Sequence, residues 1–163
     1  MSAPAASERV VIGREAQAAA VLELAKAARM ELAVLSHGFD ARLYGAEALV
    51  ERVKDFCLAH ERARVRVLVN QTALAMRETH RFVELGRRLP SRIAFRQLDE
   101  EDRGVVEELI IADGRSVMRR ESPDQLEARL WIETPLEARL RLKAFDELWE
   151  RGVPAREFSE LKI

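Results

Sequence analysis

The chain has 163 residues, of which 48% are apolar and 34% charged, with a net charge of −1. That length fits one domain with room for a three-layer core, and the near-neutral balance supplies no global field that would draw the chain onto nucleic acid or membrane. Cys57 is the one cysteine, which excludes an intrachain disulfide, and no apolar run approaches a membrane span.

The first residues lack a basic start followed by an apolar core, so no signal peptide is expected and a cytoplasmic location is the default. Lys26, Lys54, Lys143 and Lys162 are the lysines among 27 basic residues. Arginine suits bidentate contacts to carboxylate or phosphate. Charged side chains are mostly solvated surface, however, and the bias reads first as coding preference.

Residues 1–8 are rich in Ala, Ser and Pro and are expected to form a disordered tail. Residues 9–163 are expected to form a single domain. Arg9-Val-Val-Ile-Gly13 reads as a short strand. Residues 15–29 are rich in helix formers, with Val21, Leu22, Ala25 and Ala28 as an apolar stripe. Residues 31–37 form a near-continuous apolar run that suits a strand covered on both faces. A loop follows to Gly45, carrying Asp40 and Tyr44.

Residues 46–60 read as a helix with Leu49, Val53, Phe56 and Cys57 inward, so Cys57 is expected to be a buried structural thiol. Residues 64–70 are a third strand. Thr72 is placed to cap a helix running to Leu89, before Pro90, with Leu74, Phe82, Leu85 and Leu89 as its core residues. A fourth strand spans 92–98, and a charged loop spans 99–104.

Next comes the stretch on which the reading turns. Residues 106–113 are an apolar strand, Asp113-Gly114 is a tight turn, and 115–120 return as a second strand. Residues 127–132 form a further strand. Thr134, Pro135 and Glu137 then have the spacing of a capping box, opening a helix that carries Leu136, Leu140, Phe145, Leu148 and Trp149 and ends near Gly152. Trp131 and Trp149 are read as core. The order is β-α-β-α-β-α-β, then three strands, then a helix. It predicts an α/β fold with a mixed, mainly parallel sheet flanked by helices on both faces, an antiparallel hairpin and a C-terminal helix.

That order resembles one half of a phospholipase D-like fold. The strand-Asp-Gly-strand unit over 109–118 carries the resemblance, together with Phe145-Asp-Glu-Leu-Trp149, which looks like the Phe-x-x-Leu-Trp ending of the closing helix in that superfamily. More closely, the chain resembles a bacterial domain of unknown function in the superfamily, some members of which are fused to acetyltransferases. Leu35-Ser-His-Gly-Phe-Asp40, Tyr44, Asn70 and Arg87-Arg-Leu-Pro-Ser-Arg-Ile93 are the matching stretches.

The superfamily's active-site strand reads His-x-Lys-x-x-x-x-Asp. Here Val106 stands at the His position, Glu108 at the Lys position, and Asp113 at the Asp position. The resemblance implies a His nucleophile that forms a covalent phospho-enzyme and a Lys that clamps a phosphate oxygen. Valine has no lone pair to offer phosphorus, and Glu108 reverses the charge of the clamp. The expectation is therefore a non-catalytic domain that binds a partner or ligand, needs no cofactor or metal, and self-associates as a homodimer, since catalytic relatives pair two halves.

Two other readings compete with it. His37, Asp40, Tyr44 and Asn70, with Asp113, could gather at the carboxyl ends of the parallel strands as a ligand pocket or a relocated catalytic site. The bland reading of His37 is a loop residue bonded to backbone. Arg77, Arg81 and Arg88 could share a helical face as an anion or nucleic-acid patch. Interspersed glutamates and the lack of an aromatic platform favour a solvated face instead. His80 reads as a partly exposed helical residue, and His60 as the end of the second helix. Arg119 or Arg120 is expected to pair with Glu107, Glu108 or Asp113 across the hairpin. The histidines are far apart and no metal-ligand spacing is present.

Overall fold

The computed structural model of the protein describes residues 5–77 and 80–159. Eight strands form one mixed sheet: β1 (Ser7–Ile12), β2 (Glu31–Ser36), β3 (Arg64–Val69), β4 (Ile93–Gln97), β5 (Glu108–Ala112), β6 (Ser116–Arg120), β7 (Glu127–Ile132) and β8 (Val153–Pro154). Their spatial order is β1-β7-β6-β5-β2-β3-β4-β8. Strands β2, β3 and β4 run parallel, and every other pairing is antiparallel. The helices are α1 (Arg14–Ala27), α2 (Ala41–Tyr44), α3 (Glu47–Ala59), α4 (Thr72–Ala75), α5 (Arg81–Arg88), α6 (Pro135–Arg151) and α7 (Arg156–Ser159).

Side chains on a strand alternate between faces, and here each face buries its own cluster. Leu32 and Val34 of β2, Val65 and Val67 of β3, and Ile110 of β5 join the cluster built with α1, α3 and α5. Ala33 and Leu35, Leu68, and Leu109 and Ile111 join the second cluster, against Phe145, Leu148 and Trp149 of α6. Strands β2 and β5 are thus covered on both sides, which explains their unbroken apolar runs. On the α6 face, the Arg66 guanidinium lies over the Phe145 ring (5.0 Å) and bonds Glu31 (2.7 Å) and Asp146 (2.8 Å). The charge is neutralised while its planar head packs on an aromatic. On the opposite face, Gly86 lets α5 approach β4, since a Cβ there would stand 2.2 Å from the Phe95 ring.

Several elements depart from the sequence expectations. Residues 1–4 of the expected tail lie outside the described residues, and β1 begins at Ser7 rather than Arg9. β1 does not neighbour β2. It is the edge strand beyond β7, so the chain crosses the whole antiparallel half of the sheet through α1. The single helix expected over 72–89 is two helices, α4 and α5, and Leu74 is exposed. β5 starts at Glu108, which leaves Val106 in the preceding connection. In α6 the buried face follows Ala138, Phe145 and Trp149, which turns Leu136 (86% exposed) and Leu140 (60%) outward. Thr134 precedes α6 but does not cap it: its hydroxyl donates to the Ile132 carbonyl, while Glu137 accepts from Arg141. No helix among the described residues is long and apolar enough to cross a membrane.

Asp113 fastens the β5–β6 turn to the chain entering β2. Asp113 and Gly114 both adopt positive φ (57° and 63°). The Asp113 carboxylate accepts from the backbone N–H groups of Arg29 (2.9 Å), Met30 (2.8 Å) and Glu31 (2.9 Å). Replacing Asp113→Ala removes all three bonds and strains a left-handed turn, and is expected to cost about 2–4 kcal/mol in urea unfolding. Asp113→Asn keeps an acceptor and tolerates the turn, so its loss is expected to be smaller.

Candidate functional site

Parallel strands deliver β2 and β3 with their carboxyl ends on one edge of the sheet, and antiparallel β5 brings its first residue there. The register Leu35↔Leu109 sets Glu108 beside Ser36. Glu108 is 3% exposed. Its Oε1 accepts from Ser36 Oγ (2.8 Å) and from the His37 backbone N–H (2.9 Å), and its Oε2 accepts from the Tyr44 hydroxyl (2.6 Å). Ser36 Oγ in turn accepts from the Phe39 N–H (2.8 Å), which fixes the turn after β2. Phe39 adopts φ 49° there.

Arg120 lies directly opposite Glu108 in the β5–β6 register and donates to Gln17 Oε1 of α1 (2.9 Å). Gln17 Nε2 donates to the Leu126 carbonyl (2.8 Å). Burial pushes the Glu108 carboxyl up, and the bonds from Tyr44, Ser36 and the His37 N–H together with the Arg120 charge only partly offset it. Burial, reinforced by Glu108, also raises the Tyr44 hydroxyl well above its ordinary range.

A cleft of about 520 Å³ opens over this point, lined in part by Glu108, His37, Asp40 and Arg120. Asp40 caps α2 by accepting from the Arg42 N–H (2.9 Å), and also meets the Arg42 guanidinium (3.1 Å). Burial raises its carboxyl, but the Arg42 bonds and the charges of Arg42 and Arg14 outweigh that and hold it low.

The expected pocket is therefore only partly assembled. His37 and Asp40 line the cleft, while Tyr44 is fully buried behind Glu108. Asn70 is a structural staple: its amide donates to the Arg103 (3.0 Å) and Val105 (2.8 Å) carbonyls and holds the loop leading to β5. Asp113 lies past the far end of β5, whose last residue is four steps of about 3.4 Å from Glu108. Asp113 cannot share a site with His37.

The expected arginine face is also not assembled as such. Arg77 follows α4 and lines the strand-end cleft, whereas Arg81 and Arg88 lie on α5 and line a separate groove with Glu47, Glu51 and Glu84. Arg81 sits 3.6 Å from Glu47. His80 is buried, not exposed on a helix: its Nε2 meets the Phe39 carbonyl (2.9 Å), its ring stacks on Phe39 (4.7 Å), and burial lowers its basicity. Across the hairpin, Arg119 pairs with Glu107 (2.5 Å). Among the described residues no group of His, Cys, Asp and Glu is placed to hold a metal ion.

Sequence reasoning missed Ser36, Gln17, Arg14 and Arg42. A serine closing an apolar strand and a glutamine inside an alanine-rich helical stripe were the available signals.

The profile of a domain of unknown function, DUF7931, matches residues 13–161. No curated protein matches the sequence significantly. Among solved structures, the chain is similar to Nuc, a phospholipase D family member from Salmonella typhimurium, with a TM-score of 0.67, 17% identity, and coverage of 92% of this chain and 98% of that one. It is similar to NucT from Helicobacter pylori, with a TM-score of 0.60, 10% identity, and coverage of 92% and 99%. It is also similar to TrmBL2, an archaeal chromatin protein whose structure shows a mode of DNA binding, with a TM-score of 0.66 and 17% identity. That match covers 91% of this chain but only 54% of TrmBL2. At these identities the likeness establishes the phospholipase D-like fold.

The raised Glu108 carboxyl has a consequence for stability. The folded state holds its proton above the ordinary value of 4.5, so between 4.5 and the raised value the native state binds more protons than the unfolded chain. Stability then falls as pH rises through that window. Glu108→Gln removes the titration, so its stability relative to the parent is expected to increase as pH rises from about 4.5 to 7. Urea midpoints measured across that range check it; a pH-independent difference would contradict it.

Proposed function

This chain belongs to the family of the domain of unknown function DUF7931, carried on a phospholipase D-like fold, and on that premise we propose that it is a non-catalytic domain that binds a ligand or partner at the strand-end cleft. One observation carries the reading: a buried carboxylate, Glu108, occupies the position where the catalytic motif places its phosphate-clamping lysine, and three donors from Ser36, His37 and Tyr44 hold it there. A carboxyl group at that point cannot supply the positive charge that would offset the charge building on a phosphoryl group in transfer. Val106, at the nucleophile position, offers phosphorus nothing to bond.

A repurposed enzyme is the weaker reading. His37 and Asp40 share the cleft, but Asp40 is committed to Arg42 and to capping α2. Asn70 and Asp113 serve other parts of the fold, so no acid, base and orienting group stand in sequence. Binding of nucleic acid through Arg77, Arg81 and Arg88 is disfavoured because the three do not share a helix and glutamates flank two of them.

The test is hydrolysis of a chromogenic phosphodiester by the purified chain. No turnover above a buffer blank is expected. Turnover that vanishes in both Glu108→Gln and His37→Ala would sink the proposal.

A further inference from the structure

Four arginines reach the strand-end cleft from four separate segments: Arg14 at the start of α1, Arg42 in α2, Arg77 after α4, and Arg120 at the end of β6. Two carboxylates share the lining, Asp40 and Glu108, and both are already engaged. Asp40 takes Arg42 at 3.1 Å and Arg14 at 3.6 Å. Glu108 takes its three neutral donors.

Arg77 has no ion-pair partner among the described residues. Arg120 spends one nitrogen on Gln17, and its Nε is buried without an acceptor. His37 Nδ1, in the same lining, is also buried without a partner. Buried polar atoms are normally satisfied, yet Arg120 and His37 each line the cleft while keeping one buried nitrogen unmatched behind it. The cleft thus has surplus cationic donors, an apolar flank at Leu74, Ala75 and Pro123, and a volume of about 520 Å³. That volume falls in the range of small-molecule sites.

We infer that the cleft binds a small organic oxyanion, a carboxylate or phosphate group on a short body, through the guanidinium groups of Arg77 and Arg120. The inference rests on the non-catalytic reading and deepens it. The planar guanidinium fork matches either group bidentately. The ligand is small because Asp40 and Glu108 stand in the same lining and would repel a continuous polyanion, and because Glu133, Glu107 and Glu121 hold the other arginines of the hairpin. Held at the rim by arginines, the anion is bound without any bond being broken.

Calorimetric titration of the full chain with inorganic phosphate and, separately, with succinate tests this. Saturable one-site binding of at least one probe is expected, and the probe that binds tells phosphate from carboxylate. Arg77→Gln, an exposed change that should leave the fold intact, is expected to weaken it about tenfold, the worth of one charge-assisted contact. Arg88→Gln, outside the cleft, is expected to leave it unchanged.

Binding of neither probe, or equal affinity in Arg77→Gln, would overturn the inference while leaving the non-catalytic reading in place. Displacement of the probe by single-stranded DNA with a steep salt dependence would overturn it in favour of a polymeric ligand. Phosphodiester hydrolysis in a parallel assay would overturn the underlying reading, whatever the titration shows.

Discussion

A carboxylate removed from water must be met by donors or carry a proton, and the end of this sheet is built around meeting one. Glu108 draws on three consecutive pieces of chain: the last residue of β2, the first backbone amide beyond it, and a tyrosine from α2. Each of those pieces is then constrained in turn. Ser36 bonds Phe39, Phe39 takes a left-handed conformation, and its ring stacks with Tyr44 (4.8 Å) and His80 (4.7 Å). The loop after β2 is therefore a packed unit, with a polar floor and an aromatic back wall.

The same geometry explains how four arginines line the cleft with a glutamate in the same lining. Glu108 takes its hydrogen bonds from Ser36, His37 and Tyr44, so no arginine of the rim bonds it, although the Arg120 charge acts on it. Asp40 consumes Arg42 and part of Arg14. Arg120 faces Glu108 across the hairpin and ties it to Gln17 of α1. In this way the edge of the antiparallel half and the first helix contribute to a site that otherwise belongs to the parallel half.

Asp113 and Glu108 show how one strand can divide its two acids between unrelated duties. Both lie on or beside β5, yet one holds the turn at the far end to the chain entering β2, and the other sits under the cleft. Asp113 has a structural task, fixing the β5–β6 turn to the backbone of residues 29–31. Glu108 has a local environment that accommodates a buried acid through three donors.

Much of the fold was legible in the sequence. The apolar runs of β2 and β5, the Asp113-Gly114 turn and the closing helix with Phe145 and Trp149 follow from local pattern and turn chemistry, which act over a few residues. Other features depended on contacts between distant residues. The break between α4 and α5, the outward turn of Leu136 and Leu140, and the edge placement of β1 are set by packing that periodicity does not encode. Asn70 and Tyr44 looked like pocket residues because they follow strand ends. Tertiary structure turned both inward, because buried carbonyls and a buried carboxylate needed donors there. The rim arginines come from positions 14, 42, 77 and 120, and only folding brings together residues so far apart in the chain.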